Sequence, residues 1–568
     1  MRMKLPIIGF VLAVILGSVL RGAEQESTAT LILVGGTIYT ANPSHPKAEA
    51  LAIGGERILR VGTRQDVEAL RGSSTRVVDL GGATVVPGLQ DAHGHVASLG
   101  TGLSQLDLTD TPDIAHIASL VAARALHTSG DHWIEGFGWD QNRWPVKTWP
   151  TAADLDAASP NHPVALQRVD GHATWANSRA MSLAGITRTT QDPPGGRLIR
   201  DASGAPTGVL VDAAQSLVER VVPNPTPAEL EAGILAADRE LSRVGLTMVH
   251  DAGASTATIA AYQRLVAAHR LNTRLYVMVS NSSDTTREWF ARGPLVDPSQ
   301  RLNVRAVKMF ADGALGSRGA ALLADYSDEP GNRGLLVTAP EALEATTKAA
   351  VQAGFQPCTH AIGDRANRQM LDIYERVEAE VPGMRALRPR IEHAQILASP
   401  DVPRFAALGV IASMQPTHCT SDMPWAPARL GAARVAEEAY VWQKLLKSGA
   451  RFAAGSDFPV ERPDPLPGFY AAVTRQDKTG RPPDGWASDQ RLTRDEALAA
   501  FTIGAAYAAH AERDLGSLEA GKLADFVVLS RDIMTVRPAE ILTTTVLDTV
   551  VGGATVYAAP HSPLGTIR

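Results

Sequence analysis

The chain is 568 residues long, enough for several packed domains or one large barrel with appendages. Hydrophobic residues make up 45 % and charged residues 20 %, the composition of a soluble globular protein. A formal net charge of −6 supplies no basic field for a polyanion, which argues against nucleic acid as a partner, and two cysteines are too few for a disulfide framework or a cysteine-rich zinc site.

Arg2 and Lys4 precede an apolar run from Leu5 to Leu20. Residues 1–23 therefore read as a signal peptide for export to the periplasm or the exterior, because the run is short for a membrane span of about 20 residues. Before a cut after Ala23, the position that wants a small residue holds Arg21, so an uncleaved N-terminal anchor is the alternative. Contact with a membrane is expected only in that case.

Short β-rich pieces follow, "ATLILVGGTIYT", "AEALAIGGERILRVG" and "TRVVDLGGATVVPGL", punctuated by glycine pairs typical of hairpins. The C-terminus answers with "GKLADFVVLS" and "TTTVLDTVVGGATVYA". These pieces predict one composite β-sandwich domain from residues 28–88 and 515–568.

Between the ends, eight apolar runs alternate with helical patterns: "TVVPGLQDAHGH", "LTMVHDAG", "RLYVMVS", "VRAVKMFADG", "FQPCTHAIGD", "PRIEHAQ", "GVIASMQPTH" and "RFAAGSDFP". The fold class expected is α/β, a (β/α)8 TIM-like barrel over 89–98 and 241–514, with its active site at the strand C-terminal ends. A doubly wound open sheet is the runner-up. The interval 99–240 is too long for a βα-loop and carries its own strands and aromatics, so it reads as an inserted domain over the barrel mouth.

Polar residues gather at the ends of these runs. His93 and His95 are two apart and project to one face of a strand, as two imidazoles sharing an ion require. Lys308 sits in an apolar strand, where a lone ammonium is costly. Carboxylation by carbon dioxide would turn it into a carbamate able to bridge two metals; pairing with Asp312 is the simpler alternative. His360 and His393 follow apolar runs and offer neutral imidazoles. Asp457 ends the last run, where a carboxylate can bind metal and take a proton from water.

With this order of His-x-His, Lys, His, His and Asp, the sequence resembles the amidohydrolase superfamily, and more narrowly its amidohydrolase-3 branch of YtcJ-like and N-substituted formamide deformylase-like proteins. The matching stretches are "PGLQDAHGH", "GWDQNRWP", "DGHATWANS", "VKMFADGALGSR", "HAIGDRA", "IEHAQ", "MQPTHCTSDM", "AGSDFPVE" and "GSLEAGKLADFVVL", and they cover nearly the whole chain after residue 23. The resemblance implies one or two divalent ions, zinc above all. His93, His95 and Asp457 would hold the first, His360 and His393 the second, with carboxylated Lys308 between them. It also implies hydrolysis of a non-peptide C–N bond, of the amide or formamide type, in a small molecule by metal-activated hydroxide, with Asp457 as the catalytic proton carrier.

Five further residues are candidates for substrate binding. His418 closes the seventh run. Asp170 and His172 in "RVDGHATWANS" could reach over the barrel, or be a turn-stabilising Asp and a surface His. Trp139, like Trp144, could line an apolar pocket or fill a core. Arg318 could bind a substrate carboxylate or pair with an acidic loop residue. Asp364 reads as a helix cap. Deamination of a heterocycle and ester or lactone hydrolysis are the alternative activities on the same scaffold, and an exported binding protein without turnover is the non-enzymatic one. The partner expected is a small-molecule amide, with homo-oligomerisation left open.

Overall fold

The computed structural model describes residues 28–223 and 225–565, so the expected signal or anchor over 1–23 lies outside the described residues. No helix among them is long and apolar enough to cross a membrane.

The eight apolar runs form the eight strands of one parallel sheet in sequential order, the barrel of an α/β fold: β1 (Leu89–Gly94), β2 (Leu246–Ala254), β3 (Arg274–Ser280), β4 (Leu302–Phe310), β5 (Gln356–Ala361), β6 (Arg390–His393), β7 (Ile411–Met414) and β8 (Arg451–Ala454). Their near-continuous hydrophobicity follows from burial on both faces, against the barrel interior and the outer helices. The sheet nearly closes between β8 and β1. Just past the end of β8, the Asp457 amide donates to the His93 carbonyl at 2.7 Å, and the His95 amide donates to the Phe458 carbonyl at 2.9 Å. The Asp91 carboxylate adds to this seam by accepting from the Ser456 hydroxyl at 2.6 Å.

Both chain ends meet in a second body. One sheet has the order Ala554–Ala558, Val546–Val551, Phe526–Leu529, Thr84–Pro87, Thr37–Tyr39, Lys47–Ala48, and thus interleaves C-terminal with N-terminal strands. A second sheet pairs Arg57–Gly62, Ala50–Gly54, Ala29–Val34 and Arg71–Asp79. The glycine pair in "LVGGTIYT" does not make a hairpin. Gly35, at φ +73, turns the chain so that Ala29–Val34 lies in one sheet and Thr37–Tyr39 in the other. Gly552 and Gly553 do join a hairpin, Val546–Val551 against Ala554–Ala558.

The long interval after β1 builds a six-stranded mixed sheet, ordered Gly196–Arg200, Pro206–Asp212, Ala173–Ala176, Val164–Arg168, Ile134–Trp139, Leu106–Asp107. Its helix Pro227–Arg243 is different. Residues Ile234, Ala237 and Leu241 pack with Val96, Leu99, Leu246 and Val249 in the barrel's own core, so this helix belongs to the outer ring before β2 rather than to an insert reaching residue 240. Gly100 and Gly233 make that packing close: a Cβ at Gly100 would lie 2.3 Å from the Gly233 carbonyl oxygen.

Candidate metal centre

β1 delivers the first two histidines. His93 is fully buried, and the His95 side chain stays 28 % exposed toward the barrel mouth. Gly94 stands between them for reasons of space, since a Cβ there would lie 2.3 Å from the Phe458 ring. The other candidate donors converge on His93. Lys308 Nζ lies 2.9 Å from His93 Nε2, Asp457 Oδ1 lies 3.5 Å from the same nitrogen, and His95 Nε2 lies 3.0 Å from Asp457 Oδ1. The His93 and His393 rings are 5.0 Å apart between centroids, and His393 and His360 are 4.6 Å apart. His93, His393 and Asp457 bring one ligand atom each within 4.8 Å of the others, the spacing of a shared ion.

Two of these residues owe their aim to unusual backbone. His393 and Asp457 have φ of +73° and +61°, a left-handed conformation that costs a non-glycine residue free energy and is held only where packing over-determines it. Each turns its side chain off the strand end into the cluster. His393 is further fixed by Gln415, whose Oε1 lies 2.8 Å from Nδ1. His418, from the helix Pro416–Asp422, stacks on His393 at 5.9 Å and 14°, with Nε2 3.9 Å from Asp457 Oδ2.

Behind the cluster lies a buried charge relay that the sequence did not disclose. Glu392 Oε2 contacts His93 Nδ1, and Arg390 Nε lies 2.7 Å from Glu392 Oε1. All three side chains are fully buried. Burial pushes the Glu392 carboxyl up, but Arg390 and then His93 outweigh it and hold it ionised, well below the usual carboxylate range. An ionised Glu392 on Nδ1 leaves the Nε2 lone pair of His93 facing Lys308 and Asp457, the tautomer a metal ligand needs.

Burial sets the direction at the histidines of the cluster and at Lys308. It pushes His93 down to about 4, and His360 and His393 well below their ordinary value, so all three imidazoles are neutral at pH 7. Burial likewise lowers Lys308. Burial raises Asp457, but His93, and then the hydrogen bond from His95, outweigh it and keep it anionic. Among the described residues no carboxylate lies within salt-bridge distance of Lys308, whose close polar neighbour is His93, and the simpler pairing with Asp312 is not formed. The Asp312 carboxylate instead accepts from the amides of Ala321, Ile362 and Gly363. Neutral imidazoles and an anionic carboxylate fit a divalent ion.

Above the cluster opens a cavity of about 840 Å³, within the range of small-molecule sites. The sheet that follows β1 forms part of its wall. His172 lies there, its Nδ1 2.7 Å from Asp212 Oδ1 and its ring 5.3 Å from His360. Burial lowers the His172 imidazole, but the Asp212 hydrogen bond and charge outweigh it and leave it above the ordinary value. Asp170 is spent locally, accepting from Arg168 and from the His172 amide at 3.0 Å.

Two candidates lie elsewhere. Trp139 is wholly buried among Trp144, Trp149 and Trp175, with its indole N–H on the Leu166 carbonyl at 2.8 Å; it fills a core and does not line the cavity. Arg318 pairs with Asp328 at 3.0 Å and Glu329 at 3.2 Å, away from the cavity wall. Cys358 and Cys419 are buried free thiols, so no bridge joins them.

The family model for the amidohydrolase family matches residues 76–557. The chain belongs to the amidohydrolase family. Three relatives span almost the full length. It is 37 % identical to the protein LONG AFTER FAR-RED 3 of Arabidopsis thaliana over 93 % of this chain and 92 % of that one. It is 32 % identical to the putative amidohydrolase YtcJ of Bacillus subtilis over 92 % and 98 %, and 28 % identical to the N-substituted formamide deformylase of Arthrobacter pascens over 93 % and 98 %. Among solved structures, a metal-dependent hydrolase from Pyrococcus horikoshii superposes with a TM-score of 0.73 at 28 % identity, over 89 % of this chain and 99 % of that one. As an amidohydrolase, the chain is a metal-dependent hydrolase.

Proposed function

We propose that this amidohydrolase hydrolyses a non-peptide C–N bond of the amide or formamide type in a small molecule. The observation that carries the reading is the convergence of His93, His95, Lys308, His360, His393 and Asp457 from five strands, all but the more deeply buried His93 lining one cavity. Zinc suits this donor set of neutral imidazoles and a carboxylate. His93, His95 and Asp457 would hold one ion, and His360 and His393 a second. Such an ion supplies Lewis acidity toward a carbonyl oxygen and lowers the pKa of water.

The chain's own residues supply the rest. Burial lowers Lys308, which favours the neutral amine that attacks carbon dioxide, and a Lys308 carbamate would add an anionic donor between the two positions. Asp457, anionic and between His95 and His418, takes the proton from the attacking water and returns it to the leaving nitrogen. His418 is placed to contact the substrate beside it. The basic and apolar segment 1–23 supports export of the chain.

The test is metal analysis of the purified protein together with a panel of N-formyl and N-acyl amines, esters and lactones. One to two zinc-like ions per chain and turnover confined to the amides are expected. Protein without any bound metal, or turnover of esters alone, overturns the reading.

A further inference from the structure

We propose that the cavity takes substrates that carry a protonated amine, and that Glu461 is the residue that pairs with it. The proposal rests on the amide-hydrolase reading above and names its substrate class, a cationic small-molecule amide.

Glu461 stands four residues past Asp457, on the segment that follows β8, and lines the cavity half-buried. Its Oε1 accepts from the Ser421 hydroxyl at 2.6 Å, and Oε2 has no hydrogen-bond partner among the described residues. Ser421 lies on the helix Pro416–Asp422, one turn beyond His418 and on the same face. Burial pushes the Glu461 carboxyl up; His418, the Ser421 hydroxyl and Arg143 oppose burial and do not cancel it. Arg143 belongs to the exposed rim, where it holds Asp110 at 2.6 Å and Lys478 holds the same carboxylate at 3.0 Å. Glu461 therefore sits between His418, beside the donor cluster, and the rim. A substituent on a molecule bound at the cluster would pass it.

The other charges of the wall are largely committed. Apart from Lys308 and Asp457 at the cluster, nine carboxylates line the cavity against four Lys and Arg side chains, so the wall is acidic. Arg168 is held between Asp140 and Asp170, and Arg143 and Lys478 share Asp110. Asp422, next to Ser421, accepts from the Tyr440 hydroxyl and from Gln395. Arg462 is exposed, and no Lys or Arg among the described residues forms an ion pair with Glu461. A cleft lined by an excess of one sign concentrates the opposite sign and repels its own. At Glu461 an arriving ammonium meets a carboxylate with one oxygen open, and forms charge-assisted hydrogen bonds there. An anionic substituent at the same place meets repulsion.

The experiment has a binding arm and a kinetic arm, both on metal-loaded protein with metal content measured in every sample. Calorimetry at pH 7 compares benzylamine, which is protonated there, with uncharged benzyl alcohol. Wild type is expected to bind the amine about tenfold more tightly or better. Glu461→Gln keeps an acceptor for Ser421 and should bring the two ligands within about threefold at unchanged metal content. Added salt should weaken the amine and leave the alcohol unchanged. The kcat/KM for 4-(aminomethyl)formanilide against 4-(hydroxymethyl)formanilide should show the same order and lose it in the same variant. Where neither formanilide is turned over, the binding arm decides alone. Benzylamine bound no more tightly than benzyl alcohol by wild type overturns the proposal. So does a preference that Glu461→Gln retains, since the amine then sits on the metal or on another carboxylate. Turnover of both formanilides without that order overturns the proposal and leaves the amide-hydrolase reading standing. Protein that turns over no amide yet binds benzylamine through Glu461 overturns the amide-hydrolase reading and supports the cation site.

Discussion

The Glu392 carboxylate grips His93 from behind: its Oε2 rests on Nδ1, and the imidazole's other nitrogen is thereby turned toward Lys308 and Asp457. The contact spans 299 residues of sequence and joins β6 to β1 across the barrel interior. Partners of this kind fix the tautomer and raise the basicity of a ligating imidazole.

Glu392→Gln keeps an acceptor near Nδ1 but removes the charge. We expect metal affinity to fall about 10- to 100-fold. Competition with a chelator, read against free metal, checks this. The variant should also melt at a lower temperature, since Arg390 is left as a fully buried cation without its counter-charge. Unchanged metal affinity would show that Glu392 serves Arg390 alone.

Asp457→Asn removes the anion between His95 and His418. Turnover should drop about 10²- to 10⁴-fold, the usual contribution of a positioned proton carrier. Rate and metal content are measured on the same samples, so that loss of metal is separated from loss of proton transfer. A rate within threefold of wild type at full metal content removes Asp457 from that role.

The barrel was legible in the sequence because parallel strands buried on both faces read as apolar runs, several of which carry a polar residue at or near their C-terminal ends. His93, His95, Lys308, His360, His393 and Asp457 stood out as residues out of place in that pattern. Glu392 and Asp212 did not, although each sits at a strand end: their meaning lies in partners on other strands, 299 and 40 residues away. Trp139 was ambiguous for the opposite reason, since an indole looks the same in sequence whether it faces a cavity or three other tryptophans. The helix Pro227–Arg243 was misplaced because its position among the loops gave no sign of which core its apolar stripe enters.

Trp139→Phe tests the core placement. The change forfeits the indole hydrogen bond to Leu166 and leaves that carbonyl short of a partner, at a cost of about 1–3 kcal/mol. Urea unfolding reads this cost. KM for any turned-over amide should stay within twofold, whereas a cavity-lining tryptophan would shift KM before stability.

Arg274 on β3 and Asp525 beside the composite β-domain form a buried pair, Nε to Oδ2 at 2.7 Å and a second guanidinium nitrogen to Oδ1 at 2.9 Å. Asp525 also accepts from the Gly552 amide. Asp525→Ala strands a guanidinium that is itself fully buried, which should destabilise the protein by about 3–5 kcal/mol. A loss under about 1 kcal/mol in chemical unfolding would mean that water or a neighbouring group replaces the carboxylate.

His510 sets an acid-side limit on stability. Burial, followed by Arg305 and Arg388, pushes its imidazole down to about 4 in the folded chain, while its nitrogen rests on the Leu387 carbonyl at 3.2 Å. In the unfolded chain it titrates near its ordinary value of about 6.5. Between these two values the unfolded state binds the extra proton, so stability falls as pH drops from about 6.5 toward 4 and is recovered as pH rises. The difference amounts to at most about 3 kcal/mol. His510→Gln keeps a hydrogen-bond donor for Leu387 and cannot titrate. Urea unfolding at pH 7 and at pH 4.5 should show wild type losing about 2–3 kcal/mol more than the variant between the two conditions. Equal losses would mean that His510 binds its proton as readily folded as unfolded, and that carboxylates elsewhere govern the acid response.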